Sequence, residues 1–279
     1  MKKIFALILA AVLSIALFAG CSSGGTTTAD NSLERVQKAG KLTIGVDDSY
    51  PPMEYRDENN NLVGFDVDLG DEIAKKLGVK SEWIPTDWNG VVLALTSSKF
   101  DVVLSAMSIT EERQKQIDFA GPYIDGGQII VVKTGSTIKA SADLKGKVIG
   151  CQLGATGEQA ALKIQGTKEV KRYDKITEAF HELSVGRIDA VVVDGQVGGY
   201  YTKKEPGAYV ILDEKLTKEP EGIGVRKEDQ KLKAAIQKAL EDLKADGTLT
   251  KHSMKWFGYD IYKEDYTEVR LRIFFYEKK

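Results

Sequence analysis

From residue 42 onward, short runs of Val, Ile and Leu alternate with longer stretches whose apolar positions recur at helical spacing. That alternation confines the chain to an α/β architecture. Residues 42–46 read as a strand, 57–61 as a polar turn and 67–77 as a helix closed by Gly78. The pair Trp83-Ile84, a helix over 89–98, a strand over 101–104 and a helix over 110–117 complete a first block. Residues 121–133 then run extended through Gly126-Gly127 into a strand at 128–132, as a crossing between lobes does. The second block has strands at 148–151, 170–173 and 190–193, helices at 157–165 and 176–185, and a Pro/Glu/Gly-rich return at 218–222. A last helix lines up Leu232, Ala235, Ile236, Ala239, Leu240 and Leu243 on one face and stops at Gly247. The expected fold has two lobes, each a sheet flanked by helices, formed by residues 33–125 with 222–262 and by 126–221. Two crossings join them, and the cleft between them is the expected place for a small ligand.

The first residues set the compartment. Lys2 and Lys3 precede an apolar run over 4–18, then Ala19-Gly20-Cys21, which reads as a secretory signal with a lipoprotein-type cleavage site. The run is short against the about 20 apolar residues of a bilayer-spanning helix, and a Ser/Gly/Thr-rich stretch follows. Residues 1–20 are therefore expected to be removed, Cys21 to carry lipid, and residues 21–32 to act as a flexible tether on the outer face of the cell membrane.

Composition is that of an ordinary globule, 42% apolar and 29% charged, with a formal charge of −2 that becomes more negative once Lys2 and Lys3 are gone. No nucleic acid partner is expected of such a surface. With Cys21 claimed by lipid, Cys151 has no partner for a disulfide, and His181 and His252 stand far from any Cys or carboxylate pair. Neither a metal site nor a catalytic triad is expected, and no cofactor.

The chemistry concentrates in Ser105-Ala-Met-Ser108-Ile-Thr110-Glu-Glu-Arg113, which sets hydroxyls and a guanidinium just after the apolar run ending at Leu104. A guanidinium forks onto both oxygens of a carboxylate, and free N–H groups at a helix start add positive potential. Downstream, Asp194 ends the apolar run 190–193, where a carboxylate is placed to meet an ammonium. The two together suggest a zwitterion held between two halves. Each residue also has a plainer reading. Arg113 fits a surface pair with Glu111 or Glu112, Asp194 a turn, Tyr50 and Trp88 core aromatics, and Asp66 and Asp68 helix N-terminal charges. Trp83 and Trp256 read as core, His181 as a helix surface residue and Cys151 as a small buried apolar residue.

Several ordered motifs resemble one family, the bacterial extracellular solute-binding proteins of family 3. They are Gly64-Phe-Asp-Val-Asp-Leu69, Ile44-Gly-Val-Asp-Asp-Ser-Tyr50-Pro-Pro-Met-Glu54, Ser105 to Arg113 with Phe119-Ala-Gly-Pro-Tyr123, Gly186-Arg-Ile-Asp-Ala190, and Asp246-Gly-Thr near Trp256-Phe-Gly. The resemblance covers residues 33–260. It implies a monomeric binding protein, not an enzyme, that captures a polar amino acid and delivers it to an ABC permease. It also implies that Arg113, Ser108 and Thr156 hold the α-carboxylate, and Asp194 and Ser108 the α-ammonium. Ser105 and Ala106 would complete that wall, with Ala106 standing where some relatives have a second serine and offering its backbone carbonyl. Asp47, Tyr50, Trp88 and Gln152 would line the side-chain end, the two rings serving as flat walls for an aliphatic stem or guanidinium. Asp47 favours a basic ligand, Gln152 leaves glutamine open, and a same-fold dehydratase acting on a cyclic amino acid is the enzymatic alternative. Residues 263–279 run past the family's usual end, and no role is assigned to them.

Overall fold

The computed structural model describes residues 30–263. The expected signal peptide, Cys21, the expected tether before residue 30 and the tail from 264 lie outside the described residues.

Helix α1 (Ser32–Ala39) leads into β1 (Lys41–Val46), and a small antiparallel sheet follows, made of β2 (Ser49–Tyr50), β3 (Glu54–Arg56) and β4 (Leu62–Val63). After it come α2 (Phe65–Lys76), β5 (Lys80–Pro85), α3 (Val91–Thr96), β6 (Val102–Val103), α4 (Glu111–Gln114) and β7 (Asp118–Gly126). The chain then enters the other lobe with β8 (Gln128–Lys133), β9 (Val148–Gln152), α5 (Thr156–Leu162), β10 (Glu169–Tyr173), α6 (Ile176–Ser184), β11 (Ala190–Asp194), α7 (Gly195–Lys204) and β12 (Tyr209–Lys215). It returns through β13 (Glu219–Val225) and closes with α8 (Gln230–Ala245) and α9 (Thr248–Trp256).

Each lobe has a five-stranded sheet, ordered β5-β1-β6-β13-β7 in one and β10-β9-β11-β8-β12 in the other. In the first, β1 runs parallel to β5 and β6; in the second, β9 runs parallel to β10 and β11. Central strands of this kind are covered on both faces, which explains the unbroken apolar run of β11, buried along its whole length. Helix α2 buries Phe65, Leu69 and Ile73, and α8 buries Leu232, Ile236, Leu240 and Leu243; full burial of each such side chain contributes about 1.5–3 kcal/mol.

The two crossings lie side by side. β7 and β13 pair antiparallel, with Glu219 opposite Gly126 and Pro220 opposite Asp125, so β13 joins the first lobe's sheet from Glu219 onward. Gly127 links β7 to β8 at φ +153, and a Cβ there would stand 2.3 Å from the Thr217 carbonyl oxygen. Only glycine lets the two crossing backbones approach so closely.

Several elements differ from the sequence expectation. Residues 121–126 are the second half of a sheet strand, β7, and not a bare connection. The helix expected over 89–98 starts with a 3₁₀ turn at Trp88–Gly90, and the one expected over 110–117 shortens to α4. β13 hides behind Pro220, Gly222 and Gly224, and α7 behind Gly195, Gly198 and Gly199, residues of low local propensity that tertiary packing overrides. Helix α1 and strand β12 are further elements beyond those expected from the sequence. Trp83 and Trp256 are half-buried, because their indole N–H groups donate to Asp71 and Asp68 near the surface.

Candidate ligand-binding site

Chain direction gathers the polar groups. β1 ends one residue before Asp47, β6 one residue before Leu104-Ser105, β9 at Gln152 and β11 at Asp194, so the carboxyl ends of the parallel strands in both lobes open onto one cleft. There Asp47, Tyr50, Trp88, Ser105, Ala106, Ser108 and Arg113 from the first lobe face Gln152, Thr156 and Asp194 from the second, with Glu54 and Ala155 completing the wall. The cavity between them is only about 10 Å³, room for a single water-sized body.

The lobes are held together by the same groups. Tyr50 Oη donates to Asp194 Oδ2 at 2.6 Å, Gln152 Nε2 to Asp47 Oδ2 at 2.5 Å, and the Ser108 and Thr156 hydroxyls meet at 3.2 Å. Tyr55 of the first lobe and Tyr200 of the second add a ring contact, their centroids 5.8 Å apart.

Each charged group is braced within its own lobe. Thr110 caps α4 by accepting from the Arg113 backbone N–H, and Arg113 Nη1 donates to the Ser108 carbonyl at 2.9 Å while its guanidinium lies 5.1 Å from the Trp88 ring centroid. Asp47 Oδ1 accepts from the Ser49 N–H and hydroxyl. Asp194 Oδ1 accepts from Gln128 Nε2 at 2.6 Å, and the same amide reaches Thr156 Oγ1 at 3.0 Å. Burial raises the Asp47 carboxyl above its ordinary value, opposed by its bonds to Ser49 and Gln152. It raises Asp194 as well, against the bonds from Tyr50 and Gln128 and the field of Arg113. Burial pulls the Arg113 guanidinium down while Asp194 and Glu219 support it; an arginine stays charged regardless.

The Ser105 hydroxyl is engaged inside the protein, accepting from the Asp47 N–H at 3.0 Å and donating to Glu54 Oε1 at 2.7 Å. Ala106 stands at φ +43, an uncommon conformation for a residue with a Cβ, and its N–H donates to Asp66 Oδ2 at 2.7 Å.

Asp66 and Asp68 both stand in the first turn of α2, as expected of helix N-terminal charges, and the contact from Ala106 gives Asp66 a tertiary partner that the sequence did not show. Asp68 is the surface member, bonded to Lys255 and Trp256, whereas Asp66 is fully buried. The spacing held the signal, since residues two apart on a helix do not share a face and one of the two acids had to point inward. Gln128 and Glu54 were also missed. Each is a lone polar residue bordering apolar neighbours, Ile129 to Val132 for one and Met53 for the other, and both are buried. Among the described residues no group of His, Cys, Asp or Glu is arranged to hold a metal ion, and no helix is long and apolar enough to cross a membrane.

The family model of the bacterial extracellular solute-binding proteins, family 3, matches residues 42–259. The L-cystine-binding protein TcyJ of Escherichia coli (strain K12) is 36% identical over 255 residues, which are 90% of this chain and 95% of that protein. The arginine-binding extracellular protein ArtP of Bacillus subtilis (strain 168) is 36% identical over 262 residues, 92% of this chain and 98% of that one. Solved structures of an ancestral arginine-binding protein, one bound to arginine and one to glutamine, are 50% identical with a TM-score of 0.75, covering 78% of this chain and 98% of theirs.

Proposed function

This chain belongs to the bacterial extracellular solute-binding proteins, family 3, an extracytoplasmic group of amino acid-binding components of ABC transporters, and we propose that its ligand is a basic L-amino acid held in the interlobe cleft. What supports this reading most is the disposition of three charges. Arg113 lies on one wall for the α-carboxylate, Asp194 on the facing wall for the α-ammonium, and Asp47 in the same cavity for a distal cation. Trp88 and Tyr50 are the flat surfaces between which an aliphatic stem would lie. Ser108, Thr156 and the Ala106 carbonyl supply the remaining polar contacts, and Ser105 holds Asp47 in place.

A cavity of about 10 Å³ is smaller than any amino acid, so loading requires the lobes to part, breaking the Tyr50–Asp194 and Gln152–Asp47 bonds, and then to close on the ligand. The closed, loaded surface is what the permease would distinguish from the empty one. The ligand leaves chemically unchanged, and the protein acts as a monomer.

A thermal-shift screen of the twenty amino acids tests the ligand assignment. A ligand at 100 times its Kd stabilises by about 2.7 kcal/mol, which is a shift of several degrees for a domain of this size. The largest shift is expected with arginine, lysine, ornithine or histidine. A shift with glutamine alone would assign the cleft to an amide, with Gln152 as its partner and Asp47 as acceptor.

The address is a separate proposal: Cys21 carries the lipid that ties the protein to the outer face of the membrane. Cys21→Ser is expected to leave the precursor unprocessed or to release the protein from the membrane fraction. Undiminished fatty-acid labelling of that variant would refute the lipid anchor.

A further inference from the structure

We propose that Glu54 and Asp66 share one proton between two otherwise orphaned oxygens, and that this carboxyl–carboxylate pair is a positioning device for the turn at residues 105–108. Neither residue is assigned a role in the reading of the ligand above, and the inference holds whichever amino acid is bound.

Four observations converge. Both carboxyls are fully buried and within hydrogen-bonding reach of each other. Glu54 Oε2 and Asp66 Oδ1 are buried oxygens that no donor among the described residues reaches. The other oxygen of each is engaged, and both engagements end on the same turn. Glu54 Oε1 accepts from the Ser105 hydroxyl, and Asp66 Oδ2 accepts from the Ala106 N–H. Ala106 meanwhile sits at φ +43, a conformation that persists only where its surroundings over-determine it.

Two ionised carboxylates side by side in a buried site repel each other and lose their hydration. A single proton between the orphan oxygens removes both costs and satisfies both atoms. It resides chiefly on Glu54, because Asp66 already accepts from the Ala106 N–H and from the Tyr123 hydroxyl at 2.9 Å, bonds that favour its ionised form. The titratable groups facing the pair come from several elements: Asp47 after β1, Tyr50 on β2, Tyr123 on β7, Glu221 on β13 and Tyr262 after α9. All are acids or phenols, so none of them offers the charge neutralisation that the proton provides. Burial, and the field of Asp66, raise the Glu54 carboxyl well above its ordinary range; burial raises Asp66 too.

The amide substitutions separate a shared proton from mere packing. In Glu54→Gln an N–H donor replaces the proton. In Asp66→Asn the donor comes from the other side, and Glu54 accepts it as a carboxylate. Each single variant is expected to melt within a few degrees of wild type at neutral pH. The double variant sets two N–H donors against each other and should melt lower by roughly 5 °C or more, far from the sum of the singles. A double variant as stable as either single overturns the proposal.

The sign of the pH effect is a second readout. A carboxyl whose pKa is raised on folding gives its stability in full below the ordinary carboxylate pKa and loses it as pH rises through the raised value. Wild type should therefore lose stability relative to Glu54→Gln as pH rises, and equal slopes for the two would refute the shared proton. Infrared difference spectra between wild type and Glu54→Gln at neutral pH should show the carbonyl stretch of a protonated carboxyl in wild type only. Positioning is read at the Ala106 amide. Its hydrogen-exchange protection should fall roughly tenfold or more in the double variant and hold in Glu54→Gln; unchanged protection in the double would leave the pair without a positioning role.

Discussion

Replacing Arg113 or Asp194 with alanine is expected to lower the affinity for a basic amino acid roughly 100-fold to several thousand-fold. The estimate rests on the about 3–5 kcal/mol lost when one partner is stripped from a buried, hydrogen-bonded charge pair. Calorimetry with L-arginine measures it, and two analogues separate the ends of the zwitterion. Argininamide lacks the carboxylate assigned to Arg113, and N-acetylarginine lacks the cation assigned to Asp194; both should bind poorly to wild type. Neither variant should unfold without ligand. Asp194→Ala removes a buried carboxyl that burial has already pushed up to about 6, although it leaves the Tyr50 hydroxyl without its acceptor. Arg113→Ala gives up a bond to the Ser108 carbonyl and a ring contact. Because the ammonium needs the ionised acid, affinity should weaken as pH falls through that value. Affinity within a few-fold of wild type for either variant, or tight binding of either analogue, would remove the zwitterion reading.

Asp47→Asn is expected to cost a cationic ligand roughly tenfold to over 100-fold, the worth of a hydrogen bond to a charged group, and to change glutamine binding little. Geometry sharpens the contrast. The substituted side chain keeps an oxygen for the Ser49 N–H and hydroxyl, but its new amide then faces Gln152 Nε2, which retains the Asp174 carbonyl at 3.1 Å as a second acceptor. The distal wall thus turns from acceptor to donor without losing its frame. Equal losses for arginine and glutamine would detach Asp47 from cation recognition.

The sequence made the cleft legible where a charged or hydroxyl residue closes an apolar run, because burial on both faces of a parallel strand leaves its carboxyl end as the place for such a group. Asp47, Ser105, Gln152 and Asp194 all stand at or just past strand ends, and Arg113 sits in the short helix α4 that follows Ser108. The bracing groups were less legible. Gln128 opens a strand and Asp66 opens a helix, positions at which local rules already explain a polar residue, so nothing in the string demanded a tertiary partner. The hydrogen bond from Ala106 to Asp66 links residues 40 apart, and that from Gln128 to Asp194 links residues 66 apart. Pairings at that range are set by the sheet order, which local periodicity does not carry. For the same reason the glycine-containing α7 and β13 emerged only in three dimensions, where neighbouring strands supply what their own residues lack.

The bonds between Tyr50 and Asp194 and between Gln152 and Asp47 make the protein its own competitor. A visiting molecule is compared with two internal donors that already occupy the acids it seeks, and its net affinity is the difference. A molecule bearing one cation displaces one donor and leaves the other bond still drawing the walls into the space its body must fill. A molecule bearing two, at the right separation, releases both. Selection against singly charged visitors therefore has the character of a threshold: the cleft rejects them by what they fail to displace as well as by the contacts they lack.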